Sequence, residues 1–184
     1  MTETNEYSKK VRKDAEDLLR VTKLIEILSE FGEVKIGGSF KYDLMWGPDI
    51  DMVVICDNPR ETSKKVLEKI IELRLFQKYE YGDFVKFKRE NRPESYIVNM
   101  RLPFEGQKWE VEAWFFEKYP ETHEEMDKLI LEKLTQEKKE IILEIKRKRE
   151  EDGIDKHKIN SAEIYRKVLI EGIKNYEELV DKSI

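Results

Sequence analysis

The sequence is poor in the residues that build disulfide frameworks and zinc clusters. Of its 184 residues, one is cysteine (Cys56) and two are histidine (His123 and His157). A single cysteine excludes a disulfide within the chain. Neither histidine has the spacing to a cysteine or to another histidine that a zinc site requires. We therefore expect Cys56 to be a small core residue and both histidines to lie on the surface.

Long apolar segments and two common catalytic motifs are also missing. No run of about 18 apolar residues occurs, so no membrane-spanning segment is predicted. Residues 1–6 are acidic and polar, unlike a secretory signal peptide, and a cytoplasmic location is therefore expected. The Gly-x-x-x-x-Gly-Lys-Ser/Thr loop of P-loop enzymes and the Gly-x-Ser-x-Gly elbow of hydrolases are absent as well, so neither kind of site is predicted.

Charge, in contrast, is abundant and nearly balanced. The chain has 35 Lys and Arg against 40 Asp and Glu, which gives a formal net charge of −5. This balance does not favour a long polyanion, so nucleic acid is a less expected partner than a small or cationic molecule. Hydrophobic residues still make up 39% of the chain, and their periodic placement predicts a folded core rather than disorder.

The clearest chemical signal lies in residues 36–55. Asp49 and Asp51 stand two residues apart in a segment of strand-like alternation, so both side chains should project from one face. Two carboxylates this close repel each other unless a cation lies between them. Oxygen ligands of this kind suit Mg²⁺, with Mn²⁺ as an alternative. The pair therefore predicts a divalent-metal site.

A glycine turn precedes the two aspartates. Gly37 and Gly38 let the backbone turn sharply and approach a ligand closely. The N–H groups of such a turn, together with the Ser39 hydroxyl, are suited to hold phosphate oxygens. Lys41, just after the turn, is a further candidate contact to a nucleotide. A phosphate site beside a divalent-metal site predicts phosphoryl or nucleotidyl transfer.

The order of these features resembles the signature of the nucleotidyltransferase superfamily typified by DNA polymerase β. An apolar residue is followed by Gly38-Ser39, a spacer of nine residues, and Asp49-Ile50-Asp51. The resemblance covers about residues 30–116. It is closest to small bacterial or archaeal members of the minimal or antibiotic-modifying type.

The resemblance also implies a third metal-binding carboxylate on a neighbouring strand. Glu110 and Glu112 share one face of the segment 109–116. Glu112 is the first choice because it is central and flanked by apolar residues, and Glu110 is the alternative. Many members carry aspartate at this place, so a glutamate would reach one methylene further. The implied substrate is a nucleoside triphosphate, with ATP as the default.

Resemblance and periodicity together predict an α+β fold. We expect a mixed, mostly antiparallel nucleotidyltransferase sheet flanked by helices, in a domain of residues 1–118, with a helical C-terminal extension of residues 119–184. The predicted helices cover residues 5–30, 62–78, 121–150, 161–169 and 175–180. The predicted strands cover residues 34–36, 49–55, 84–88, 96–102 and 108–116.

The predicted function is Mg²⁺-dependent transfer of a nucleoside monophosphate to an acceptor hydroxyl, with a small molecule as the preferred acceptor. The hydroxyl of an aminoglycoside or lincosamide, a protein side chain and an RNA end all remain open. One alternative is a catalytically weak nucleotide-binding or antitoxin-like module, and another is a protein used for interaction only. The C-terminal helices are the candidate surface for a homodimer or a helical partner protein. Their basic run, 146–149, is predicted to be a solvated helix end.

Overall fold

A computed structural model describes residues 3–89, 92–155 and 158–181. Within these ranges five strands form one sheet: β1 Glu33–Ile36, β2 Asp49–Ile55, β3 Lys78–Asp83, β4 Tyr96–Phe104 and β5 Gln107–Phe116. The helices are α1 Glu3–Thr22, α2 Leu24–Ser29, α3 Gly38–Lys41, α4 Pro59–Leu73, α5 Glu121–Lys133, α6 Gln136–Glu151, α7 Ser161–Leu169 and α8 Tyr176–Asp181.

The sheet has the strand order β1-β2-β5-β4-β3. The strands β2 and β5 run parallel to each other, whereas every other neighbouring pair is antiparallel. The predicted α+β fold with a mixed, mostly antiparallel sheet is therefore confirmed. The parallel pair is the part that matters for the site, because it lays β5 alongside the strand that carries both aspartates.

Alternation along the central strands separates a buried face from a polar face. In β5, Trp109, Val111 and Ala113 are fully buried, while Glu110 and Glu112 between them are half-buried. Successive residues of a strand point to opposite faces, so the apolar residues belong to the core and the glutamates to the other side. The core on the buried face also takes residues from α1, α2 and α4.

A second hydrophobic core is built from the C-terminal helices. Its buried members, apart from one, come from the segment between 126 and 179. The exception is Leu44, which lies in the spacer between α3 and β2 and is fully buried there. The C-terminal helices thus hold the segment that leads into Asp49. The division of the chain at residues 118 and 119 stays a prediction.

Two predicted helices are each split into two. The predicted helix 5–30 is interrupted at Lys23, whose φ of 51° is left-handed, so α1 and α2 are separate. The predicted helix 121–150 is interrupted between α5 and α6, where the Thr135 side chain accepts a hydrogen bond from the Lys138 N–H at 3.3 Å. Both interruptions are local changes of backbone conformation. The apolar periodicity continues across them, so the sequence pattern does not indicate where they occur.

The strand predicted over residues 84–88 is wrong. The helix α4 ends before residue 78, because Arg74 adopts a left-handed φ of 50°. The chain then pairs with β4 from residue 78 onward, and this pairing ends at Asp83. The strand therefore lies earlier in the sequence than predicted, and residues 84–87 form a turn.

The predicted starts of the last two helices, α7 and α8, are confirmed by hydrogen bonds from their capping residues. The Asn160 side chain accepts a hydrogen bond from the Glu163 N–H at 3.0 Å, at the start of α7. The Asn175 side chain accepts one from the Glu178 N–H at 2.9 Å, at the start of α8. Each cap satisfies a backbone donor that a helix start leaves without a partner.

The cysteine and the two histidines were predicted to lie in the core and on the surface, respectively. Cys56 is half-buried and packs against the first core. His123 is half-buried rather than exposed, because its ring contacts those of Phe116 and Tyr119, and this burial lowers the pKa of the imidazole. His157 lies outside the described residues. Within the described ranges, no helix is both long enough and apolar enough to cross a membrane.

We predict that Leu44→Ala lowers the free energy of unfolding by about 2–5 kcal/mol, because it leaves a cavity in the second core. Leu131→Ala is the matched control, since Leu131 is 87% exposed, and it should change stability by less than about 0.5 kcal/mol. Urea denaturation measures both. Equal effects of the two substitutions would contradict the placement of Leu44.

Candidate active site

The strand register brings four carboxylates onto one face of the sheet. Asp49 is the Cα partner of Glu110, and Asp51 is the Cα partner of Glu112. Neighbouring strands lie about 4.8 Å apart, and residues paired across them project to the same side. The register therefore places the two aspartates beside the two glutamates, on the face opposite buried Ile50 and Met52.

The two glutamates have different surroundings. The Glu110 carboxylate accepts hydrogen bonds from the Arg101 Nε at 3.1 Å and the Arg101 Nη2 at 2.8 Å, which form an ion pair. Asn99 donates from Nδ2 to Glu110 Oε1 at 2.7 Å and to Glu112 Oε1 at 3.1 Å. Glu110 thus contacts a guanidinium and an amide, and the same amide also contacts Glu112.

The glycine turn lies directly against Asp51. The Gly37 N–H donates to the Asp51 carbonyl at 2.8 Å. Gly38 has a left-handed φ of +58°, and a Cβ on it would lie 2.0 Å from Asp51 Oδ2. No side chain fits in that space, so a residue other than glycine would displace either the turn or the carboxylate. Ser39, the next residue, is buried.

Lys41 is held by an aspartate of the C-terminal helices. Its Nζ lies 2.6 Å from Asp127 Oδ2, and the hydroxyl groups of Tyr42 and Tyr119 also donate to that carboxylate. Burial raises the pKa of Asp127, but the hydrogen bonds from Lys41 and the two tyrosines outweigh it and hold the pKa below its usual range. Asp127 therefore ties α3 to α5. That Lys41 contacts a nucleotide stays a prediction.

Sequence reasoning missed a buried lysine near the aspartates. Lys146 is 2% exposed, and its Nζ donates to the Leu44 carbonyl at 2.7 Å and to the Tyr165 hydroxyl at 2.9 Å. Burial lowers the pKa of Lys146 to about 7, against an opposing influence of Asp49 and Asp51. Its hydrogen bond to Leu44 places the Lys146 side chain against the segment that leads into Asp49.

Arg149, one turn further along α6, has a similar environment. It is half-buried and donates to the Ile159 carbonyl at 2.7 Å. Burial lowers its pKa, and Asp49 acts in the opposite direction. The prediction of a solvated helix end at residues 146–149 is therefore wrong for Lys146 and for Arg149. The available signal was that Lys146 follows Ile142 by four residues, on the apolar face of the helix.

The described residues do not form a ready-made metal centre. Among them, no three His, Cys, Asp or Glu side chains converge as a metal site. The donor set on the sheet nevertheless consists of carboxylate oxygens alone, which is the chemistry that Mg²⁺ and Mn²⁺ prefer. The residues present therefore fit a hard divalent cation and do not fit a metal that needs sulfur or imidazole.

Among comparisons with known proteins, only the comparison with solved structures found a match, and it concerns the fold of the chain. No protein-family profile and no curated protein sequence matches the chain. Among solved structures, the polymerase core of TRAMP, an RNA surveillance complex, is similar with a TM-score of 0.59 at 15% sequence identity. The match covers 90% of this chain and 55% of that one, so the chain spans about half the length of that structure. At this identity the match shows a shared fold, and that fold agrees with the one that the sequence resemblance implies.

We predict that Gly38→Ala destabilises the protein more than Gly153→Ala does. Both glycines have a left-handed φ, which costs an alanine roughly 1–2 kcal/mol. Only at Gly38 would an added Cβ meet a neighbour within 4 Å, namely Asp51. Gly153 is therefore a control for backbone strain alone. Guanidinium denaturation of both variants measures the difference. Equal losses would show that Gly38 and Asp51 are not in close contact.

We predict that Lys146→Met removes part of the pH dependence of stability. The folded pKa of about 7 lies below the ordinary value of 10.5, so between these pH values the unfolded state binds more protons. Wild-type stability should therefore rise with pH across this window. The Met variant should show a smaller rise in urea denaturation from pH 6 to 10. Lys148→Met is the control, because the Lys148 side chain is 41% exposed, and it should keep the wild-type slope. An unchanged slope for Lys146→Met would contradict the lowered pKa of the buried Lys146.

Proposed function

We propose that this chain is a metal-dependent nucleotidyltransferase that moves a nucleoside monophosphate from a nucleoside triphosphate to an acceptor hydroxyl. The observation that carries the proposal is the arrangement around Asp51. Its carboxylate abuts the Gly38 turn, and its strand partner is Glu112. A phosphate-binding turn and a row of carboxylates in direct contact are what this chemistry requires.

The candidate metal ligands are Asp49, Asp51 and Glu112. Glu110 stays the alternative third ligand, but its ion pair with Arg101 makes it the poorer one, because a cation would have to compete with the guanidinium. Mg²⁺ is the proposed ion and Mn²⁺ the alternative. When bound, such an ion supplies positive charge that stabilises the phosphates and lowers the pKa of an acceptor hydroxyl.

The residues proposed to hold the triphosphate are Gly37, Gly38 and Ser39, with ATP as the default nucleotide. The N–H groups of Gly38 and Ser39 would donate to phosphate oxygens, whereas the Gly37 N–H already donates to the Asp51 carbonyl and holds the turn against β2. Lys146 is proposed as a further basic group of the site, because its Nζ donates to the Leu44 carbonyl in the segment that leads into Asp49. Lys41, anchored by Asp127, would act by fixing α3 next to the turn, in addition to any contact with the nucleotide.

A small-molecule hydroxyl is the proposed acceptor. The net charge of −5 favours a small or cationic acceptor over a polyanion. An RNA 3′ hydroxyl is the second candidate, because the similar solved structure is the polymerase core of an RNA surveillance complex. A cytoplasmic location, and a homodimer or a helical partner bound through the C-terminal helices, belong to the same proposal.

Calorimetric titration of ATP, and then of the other triphosphates, tests nucleotide binding. We expect Mg²⁺-dependent binding that Asp49→Ala/Asp51→Ala abolishes. The control is Asp57→Ala/Asp181→Ala, which removes two exposed aspartates outside the site and should bind as wild type does. If the folded wild-type protein binds no triphosphate with Mg²⁺ present, the proposed function is wrong.

Transfer is tested separately with triphosphate labelled at the α-phosphate. Acceptors are an aminoglycoside and an RNA oligonucleotide with a free 3′ hydroxyl. We expect label on the aminoglycoside, and Asp51→Asn should reduce the rate by at least about 100-fold because it removes one negative ligand. Label on RNA alone would favour the second acceptor. Binding of ATP without transfer to either would favour the catalytically weak nucleotide-binding module.

A further inference from the structure

The strand β3 forms one edge of the sheet. In the part of the chain that the structure describes, it pairs with β4 on one side and with no strand on the other. The Phe84 N–H, just after the strand, donates to the Ser95 carbonyl at 2.9 Å. Hydrogen bonds alternate along an antiparallel strand, so Tyr79 and Tyr81 direct their N–H groups away from β4. An edge of this kind is a template on which another strand can pair.

Apolar side chains are exposed beside this edge. Leu67 and Ile71 of α4 and Tyr81 of β3 line a groove of about 480 Å³. Ile71 is 47% exposed and Tyr81 is 37% exposed, and Leu73 and Leu75, at the end of α4 and after it, are exposed as well. Apolar groups that are exposed together mark a surface used for interaction. The groove therefore offers apolar contact area next to the open strand edge.

Two charges of opposite sign stand two residues apart on β3. Lys78 and Glu80 project from the face opposite Tyr79 and Tyr81, because successive residues of a strand alternate between faces. Their side chains form an ion pair at 2.8 Å, and each is about half exposed. Both charges are therefore within reach of a strand that pairs with this edge.

The register of such a pairing decides whether these charges attract or repel each other. When two copies of β3 pair about a two-fold axis, one residue lies opposite itself and its neighbours pair symmetrically. A pairing centred on Lys78 or on Glu80 places like charges opposite each other, which is destabilising. A pairing centred on Tyr79 places Lys78 of each copy opposite Glu80 of the other. The strand therefore complements its own charges in the register centred on Tyr79.

The same arrangement brings the two grooves together. The helix α4 packs against β4, β5 and β3. Neighbouring strands lie about 4.8 Å apart, so the β4 strands of two copies would lie about 14 Å apart, with both β3 strands between them. With α4 over β4 in each copy, the two helices would be separated by more than the roughly 8–10 Å of helices in direct contact. That separation leaves room for side chains, and Ile71 and Tyr81 of each copy border the space.

We propose that β3 and the groove beside it form the interface of a homodimer, in which the two sheets join edge to edge about a two-fold axis. The occupant is a second copy because the charges of β3 complement themselves. The rim of the groove carries Lys64 together with Glu68 and Glu72, so it does not select a strongly charged partner of either sign. None of these residues belongs to the C-terminal helices or to the candidate metal ligands. The inference therefore goes beyond the proposed function and does not depend on it.

Sedimentation equilibrium of the full chain over a range of concentrations tests the charge pairing. We expect the wild type to dimerise. Glu80→Lys should raise the dimer dissociation constant at least about 10-fold, because it places two lysines opposite each other in both symmetric pairs. Lys78→Glu should act in the same way through two glutamates. The double variant Lys78→Glu/Glu80→Lys again pairs opposite charges and should recover part of the lost affinity.

The groove and the strand edge are tested on the same dimer. Ile71→Asp should weaken dimerisation, because it places a charge in the apolar groove. Leu131→Asp is the matched control, since Leu131 lies outside this surface and is more exposed than Ile71, and it should dimerise as the wild type does. Hydrogen exchange should show that the amides of Tyr79 and Tyr81 exchange more slowly in the dimer than in the monomeric Glu80→Lys variant.

Three results would overturn the inference. The first is a wild type that stays monomeric over the whole concentration range. The second is a dimer that Glu80→Lys and Ile71→Asp leave unchanged, because its interface then lies elsewhere, as in the C-terminal helices. The third is a double variant that dimerises no better than Glu80→Lys alone, because the register centred on Tyr79 would then be wrong. Circular dichroism of each variant shows that a lost dimer is not a lost fold.

Discussion

The parallel pairing of β2 with β5 is the interaction on which the rest of the structure depends. It places Asp51 beside Glu112 although the two are far apart in sequence. Carboxylates brought together repel each other, so other forces must hold these strands in register. Main-chain hydrogen bonds and buried residues such as Val111 on the opposite face supply them. A shift of one residue would turn the acids into the core, so the core also fixes the position of the site.

Two further contacts extend this arrangement to the remainder of the chain. The Gly38 turn sits against Asp51 without room for a side chain, which ties the proposed phosphate site to the proposed metal site. On the other side, the C-terminal helices bury Leu44 and place Lys146 against its carbonyl. The spacer before Asp49 is held by both cores, because Met45 is buried in the first core and Leu44 in the second. A helix far along the sequence thereby places Lys146 against the segment that leads into the two aspartates of the sheet.

The sequence allowed some of this to be predicted, and the limit is a physical one. Gly38, Asp49 and Asp51 lie on one short segment, where strand periodicity and turn chemistry are local, and the fold they implied is confirmed. The place of β3 was predicted wrongly because the end of α4 depends on the left-handed Arg74. The burial of Lys146 depends on its contact with Leu44, which lies about a hundred residues earlier in the chain, and a local pattern does not encode such a contact. The assignment of Glu112 and Lys41 to the site stays a prediction.

A crystal structure of the chain with Mn²⁺ and a non-hydrolysable ATP analogue is the most direct test of the central claim. We predict an anomalous peak bound by Asp49, Asp51 and Glu112 at roughly 2.0–2.3 Å, with the triphosphate against the N–H groups of Gly38 and Ser39. A metal ion bound elsewhere, or an analogue that does not touch the glycine turn, would contradict the claim that these carboxylates and this turn form one nucleotidyl-transfer site.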